Sequence, residues 1–274
     1  MTLCLAAACQ EDGDDRIVLC SDWKSGSSLG SSQTSDKLRW LKKKPNWIAL
    51  TAGKEKAIES VVRRYRAELP SSGDIDDSNG ETIFGKIAQK HLLQKKSDCV
   101  ESEIGVTYRY FRTHLAEFPY KVQVSLFGKI ARVDLEASLL IVGYTSGHRS
   151  RTPLICEVAR DASIAIHPHF GVIGEGLLVA TPPILRREFD CHWSLKKTIY
   201  QLYESKTLSE IVQSVGDNTS IDVFYPDGTL KSVNDRGYRY LDRALKEYGP
   251  KPKITRLKDF GARYLDPFPF SDLS

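Results

Sequence analysis

Short apolar runs and amphipathic helical segments alternate in blocks along these 274 residues, in the order strands, two helices, strands, two helices, strands. A strand block buries one or both faces and a helix buries one stripe. The block order therefore predicts stacked sheets with helices over their outer faces, an α+β fold. Strands are expected at 3–9 and 16–21, joined by the acidic turn Glu11-Asp12-Gly13-Asp14-Asp15, and at 38–41 and 46–51. Ser25 to Ser35, rich in Ser and Gly, reads as a loop. Helical spacing of Ala57, Ile58, Val61, Val62, Tyr65 and Leu69, closed by Pro70, predicts a helix over 54–69, and a second is expected over 81–96. Strands resume at 138–144, 153–158, 163–166 and 170–174. A helix starting at Leu177 is expected to break at Pro182-Pro183, and helices are expected at 194–205, 208–214 and 238–247. Residues 219–225 and 230–233 read as a hairpin across Pro226-Asp227-Gly228-Thr229. No internal repeat is present. Residues 1–248 are expected to form one domain, with 97–134 an insertion in which 120–127 suits either strand or helix, and 249–274 an irregular extension.

Composition excludes several classes. At 41% hydrophobic and 27% charged the chain carries enough apolar material for a sizeable core. No apolar run approaches the roughly 18–20 residues of a membrane span, and Gln10-Glu11-Asp12 interrupts the first run too early for a signal peptide. A cytoplasmic protein is expected. The net charge of +4 is mild and the basic groups are scattered without interleaved aromatics, so no nucleic-acid partner is expected. The six cysteines are far apart, and Cys4, Cys9 and Cys20 lie inside apolar runs, where a thiol acts as a small hydrophobe. His167-Pro168-His169 and Cys191-His192 could supply metal donors, but their spacing fits no standard pattern, so no metal is expected.

Four marks in the first quarter carry chemistry. Thr2 follows the initiator Met1 and opens directly into a strand-like run. Ser21-Asp22 closes the second apolar run, Asp36-Lys37 opens the next segment, and Ala52-Gly53 ends the fourth just before a helix. A leading threonine combines a hydroxyl nucleophile with an α-amine of pKa about 7.7–8.0. Nucleophile and base then arrive on one residue without a histidine.

These residues resemble the proteasome β-type subunits, the threonine peptidases among the N-terminal nucleophile hydrolases. The resemblance implies a four-layer αββα sandwich and no cofactor. It implies Thr2 as nucleophile once Met1 is removed, Asp22 and Lys37 as a supporting ion pair, and the Gly53 N–H as an oxyanion donor. Thr51 and Glu55 match the positions that line the first specificity pocket and suit a basic side chain. The family also implies a peptide or unfolded-protein substrate and self-association in rings or stacked layers; an ATPase partner is not legible. Two regions depart from the family pattern. Gly174-Glu175-Gly176 stands where a Gly-Ser-Gly turn is usual, and Ser214 to Ser220 replaces an Arg-Asp-x-x-Ser-Gly segment. Glu175, Ser214 and Asp217 are the candidates for the supporting role. The departures keep open an inactive scaffold, and the superfamily keeps open a small-molecule amidase or acylase.

Overall fold

Two antiparallel sheets organise the chain. The computed structural model describes residues 3–22, 25–27, 30–32, 37–43, 46–70, 75–76, 78–145, 151–249 and 261–267. In chain order, β1 (Leu3–Glu11) and β2 (Asp14–Asp22) form a hairpin, and β3 (Ser25–Ser27) and β4 (Gly30–Ser32) a small ribbon. Next, β5 (Leu38–Lys42) and β6 (Trp47–Gly53) lead into α1 (Glu55–Glu68) and α2 (Gly80–Ile104). The short α3 (Tyr108–Thr113) and α4 (Tyr120–Ile130) come next, then β7 (Ala137–Tyr144), β8 (Pro153–Val158), β9 (Ile164–Ile166) and β10 (Phe170–Gly174). After these come α5 (Leu177–Arg186), α6 (Leu195–Leu208), β11 (Thr219–Phe224), β12 (Leu230–Val233), α7 (Asp235–Tyr248) and β13 (Leu265–Pro267). The first sheet has the order β10-β1-β2-β11-β12-β13 and the second β5-β6-β7-β8-β9. Every ladder in both is antiparallel.

Three apolar seams explain why these strands read as continuous hydrophobic runs. On β1, Cys4 and Ala6 point into one seam, where they and Leu19 meet Ile48, Leu50, Leu140 and Val142 of the second sheet. Leu5 and Ala7 point the other way, against Ile199 and Leu202 of α6, Ile184 of α5 and Leu241 of α7. Trp47, Ala49, Leu139 and Ile141 of the second sheet face Val61 and Tyr65 of α1 and Phe84 of α2. Side chains alternate across a strand, so a strand buried on both faces has no polar position to spend. The seams place helices outside two stacked sheets. All six cysteines are free thiols. Burial pushes the Cys9 thiol up to about 12, against the weaker pull of a hydrogen bond with Thr198, so Cys9 stays protonated as a packing group.

The structure corrects several expectations. Within 25–35 the described residues form the β3–β4 ribbon rather than a loop. Residues 97–134 are helical: α2 continues to Ile104, and α4 covers the stretch that suited strand or helix. Val100, Phe111, Leu126 and Ile130 give this region its own small core, which local periodicity does not reveal. α5 continues through Pro182 and Pro183, which deprives the Leu178 and Val179 carbonyls of their helical donors; Leu178 is largely exposed, where water can serve its backbone. Helix 208–214 is not formed: α6 ends at Leu208, a 3-10 turn covers Ser209–Ile211, and Val212 is extended. The tail is not uniformly irregular, because β13 pairs with β12 at the edge of the first sheet.

Candidate active site

Of the expected site residues, Asp22 and the 174–176 turn lie where β1 begins. Leu3 pairs with Gly174 on one side, and on the other the β1–β2 register sets Cys4 opposite Ser21, at the neighbouring Asp22 end of β2. Asp22 is fully buried. Its Oδ1 accepts the Leu3 N–H at 2.9 Å and its Oδ2 accepts the Gly216 N–H at 2.9 Å. One carboxylate thereby fastens the start of β1 to the loop before β11, through charge-assisted hydrogen bonds. Thr2 itself, with Met1 and Asp36, lies outside the described residues.

Lys37 is 6% exposed, just before β5. Its carbonyl accepts the Thr51 N–H at 3.0 Å and the Thr51 hydroxyl at 3.1 Å. The Thr51 carbonyl in turn takes the Cys4 thiol at 3.6 Å, linking β6 to β1 across the inter-sheet seam. Thr51 is 1% exposed. The structure thus uses the expected pocket threonine to hold the Lys37 backbone. Glu55 opens α1 and pairs with Arg39 of β5 at 2.9 Å, so the expected pocket carboxylate already has a cation.

Gly53 ends β6 at φ +137°, where a Cβ would lie 2.4 Å from the Glu136 carbonyl oxygen and 2.7 Å from Ala137 Cα. Only glycine fits, and the turn it allows lets the Lys54 N–H bond the Glu136 carbonyl at 3.0 Å as α1 starts. Gly176 is closely hemmed in by side chains: a Cβ would meet Val215 Cγ2 at 2.9 Å and Leu3 Cβ at 3.2 Å. The 174–176 turn therefore presses against both the start of β1 and the 214–217 loop. Glu175 at its tip is exposed.

Of the other supporting candidates, Ser214 has a buried hydroxyl with no hydrogen-bond partner among the described residues. Asp217 is exposed, and its contribution comes from its main chain: its carbonyl accepts the Lys206 ammonium at 2.7 Å. Lys206 is fully buried on α6 and also pairs with Glu210 at 2.6 Å. This lysine braces the 214–217 loop from behind. Sequence reasoning missed it, although the Lys206–Glu210 spacing of four was a usable signal. The Asp22 link to Gly216 carried no such signal, because it joins residues 194 apart.

The scan of family models matches nothing, and no curated protein matches. Among solved structures the chain is similar to Anbu (ancestral beta-subunit) from Yersinia bercovieri, at 13% identity and a TM-score of 0.60, over 90% of this chain and 94% of that one. It is also similar to an Anbu (Gly-1) mutant from Hyphomicrobium sp. strain MC1, at 15% identity and a TM-score of 0.57, over 94% and 100%. The chain shares its fold with Anbu. The assignment to proteasome β-type subunits is corrected accordingly: the structural neighbours are Anbu, and no family model or curated protein supports that membership. The four marks describe a site, and a site does not by itself assign a family. No helix among the described residues is long and apolar enough to cross a membrane.

Proposed function

We propose that this chain is a threonine-type hydrolase of amide bonds, acting on peptides through Thr2 after removal of Met1. The observation that supports it most is the Asp22 carboxylate, which fastens the Leu3 and Gly216 amides together. Leu3, the residue after Thr2, is thereby held between Asp22 and the 174–176 turn. On this reading the Thr2 hydroxyl attacks the scissile carbonyl, and its proton passes to the Thr2 α-amine, directly or through one water. Lys37 serves as the neighbouring cation that disfavours protonation of the free amine. The Gly53 N–H donates to the tetrahedral oxyanion, a contact typically worth about 100–1000-fold in rate. The amine then returns the proton to the leaving nitrogen, leaving an ester on Thr2 that water hydrolyses. The fold is read as the four-layer sandwich of N-terminal nucleophile hydrolases, cofactor-free, cytoplasmic and self-associating.

A second reading, a non-catalytic scaffold, is favoured by Glu175 at the turn where the resemblance leads one to expect serine. Intact mass of the natively expressed protein, β-lactone labelling and peptide hydrolysis decide between them. The hydrolase predicts a mature chain lacking Met1, one label per chain on Thr2, and no turnover by Thr2→Ala. A chain that keeps Met1, or a processed chain that resists labelling, refutes it.

A further inference from the structure

At the other end of β1, two loops far apart in sequence meet. The β9–β10 connection holds His167, Pro168 and His169, and the α5–α6 connection holds Asp190, Cys191 and His192. Past Ala7, where the ladder with β10 stops, β1 offers its amides to these loops. Ala8 N–H bonds the His169 carbonyl at 2.9 Å, and Gln10 N–H bonds the Trp193 carbonyl at 2.9 Å. Amides two residues apart point to the same side of a strand, so one strand edge lays both loops side by side. Aromatic packing beneath them does the same: Phe189 stands edge-on to Phe170 at 6.0 Å and packs on Trp193 at 5.2 Å. His169 neighbours Phe170 in the chain, and Asp190 neighbours Phe189. The donor atoms of His169, Asp190 and Cys191 consequently lie within 4.8 Å of one another, all half-buried.

We propose that His169, Asp190 and Cys191 bind a divalent transition-metal ion, zinc above all, which clamps the α5–α6 connection to the edge of the first sheet. Imidazole, carboxylate and thiolate together suit zinc, a borderline-soft ion that accepts all three. Charge balances as well: the Asp190 carboxylate and the Cys191 thiolate, whose proton goes to solvent, neutralise a dication, and His169 binds neutral. Bond lengths of about 2.0–2.3 Å in tetrahedral geometry place donors about 3.3–3.6 Å apart. The present donors need to draw in by roughly an ångström, within reach of side-chain rotation. His192 is a positioning residue: its backbone N–H and its ring Nδ1 both contact Asp190 Oδ1, at 2.7 and 2.5 Å, which fixes the carboxylate beside the other two donors. Water fills the fourth position. His167 takes no part, because its Nε2 pairs with Glu157 at 3.0 Å. The ion sits five to seven residues along β1 from Leu3, roughly 17–23 Å away. It acts on the fold and does not enter the hydrolysis proposed above.

The full-length protein, stripped with a chelator and dialysed, should take up zinc at one equivalent per chain by elemental analysis. At a hundredfold excess over the dissociation constant its melting temperature should rise by about 5 °C. Cobalt(II) should give a thiolate-to-metal absorption band. His169→Ala and Cys191→Ser should lose both the uptake and the thermal shift, and His192→Ala should bind about 10–100-fold more weakly. Peptide hydrolysis by the stripped protein should persist, which separates this site from Thr2. Failure to bind zinc, or uptake unchanged in His169→Ala and Cys191→Ser, overturns the proposal. If either variant does not fold, the wild-type cobalt spectrum decides: a thiolate band supports the site, and its absence overturns it.

Discussion

Replacing Asp22 tests the centre of the structural argument. The side chain is fully buried and accepts two backbone amides at 2.9 Å. Alanine leaves both N–H groups without that acceptor, and a buried orphan donor costs about 1–3 kcal/mol. The expected loss is therefore about 2–6 kcal/mol. Asparagine is the informative companion, because its oxygen still accepts one amide while its NH₂ group faces the other. Its expected cost is about 1–3 kcal/mol. Urea unfolding with a slope near 3 kcal/mol/M should show the Asp22→Ala midpoint lower by about 0.7–2 M, with Asp22→Asn between it and wild type. Hydrogen exchange should report lost protection at the Leu3 and Gly216 amides while amides in the middle of β7 keep theirs. An alanine variant within about 0.3 M of wild type, or one whose Leu3 amide exchanges as slowly as before, would refute the reasoning.

Two further substitutions probe other parts of the fold. Gly53→Ala sets a Cβ 2.4 Å from a backbone oxygen at φ +137°. It should cost about 3 kcal/mol or more and abolish hydrolysis, so an alanine protein with wild-type urea midpoint and activity contradicts the packing. The buried pair of Arg187 with Glu204, Nη2 to Oε1 at 2.7 Å, predicts a pH effect. Burial raises the Glu204 carboxyl from 4.5 to about 7, against the pull of Arg187. A raised carboxyl holds its proton more tightly in the folded state, so its contribution is fully present below pH 4.5 and is lost as the pH rises through 7. Unfolding midpoints at about pH 5 and pH 8 should differ less in Glu204→Gln than in wild type. Arg187→Ala, which removes the cation and its bonds to Gln201 and Glu204, should push the Glu204 carboxyl up further and lower the unfolding midpoint most at about pH 8, where Glu204 must otherwise ionise unpaired. Equal pH profiles for wild type and Glu204→Gln would contradict this.

What the sequence disclosed follows from how local each signal is. The run 3–9 and the stripe from Ala57 to Leu69 announce themselves because their own residues carry the burial pattern. The β3–β4 ribbon does not, since Ser and Gly carry no apolar alternation, and β13 is a strand only because β12 offers it an edge. At the candidate site, Asp22, Lys37 and Gly53 are legible as strand-end residues. The bonds Asp22 makes, the bracing of the 214–217 loop by Lys206, and the convergence of His169 with Asp190 and Cys191 are tertiary facts. Spacing rules for metal ligands look along the chain, and here the donors come from two loops about twenty residues apart.

The helix α2 carries a consequence of its own. At 25 residues it is roughly 37 Å long. Its first half is bolted to α1 and the second sheet through Phe84, Ile87, Ala88 and Leu92, while Val100 near its far end belongs to the separate cluster with Phe111, Leu126 and Ile130. The chain from Gly105 to Ala131 is therefore an outboard unit mounted on a single beam. Such a unit is expected to open as its own cooperative foldon while both sheets stay intact, at a free energy set by this small cluster and the residues packed against it rather than by the whole molecule.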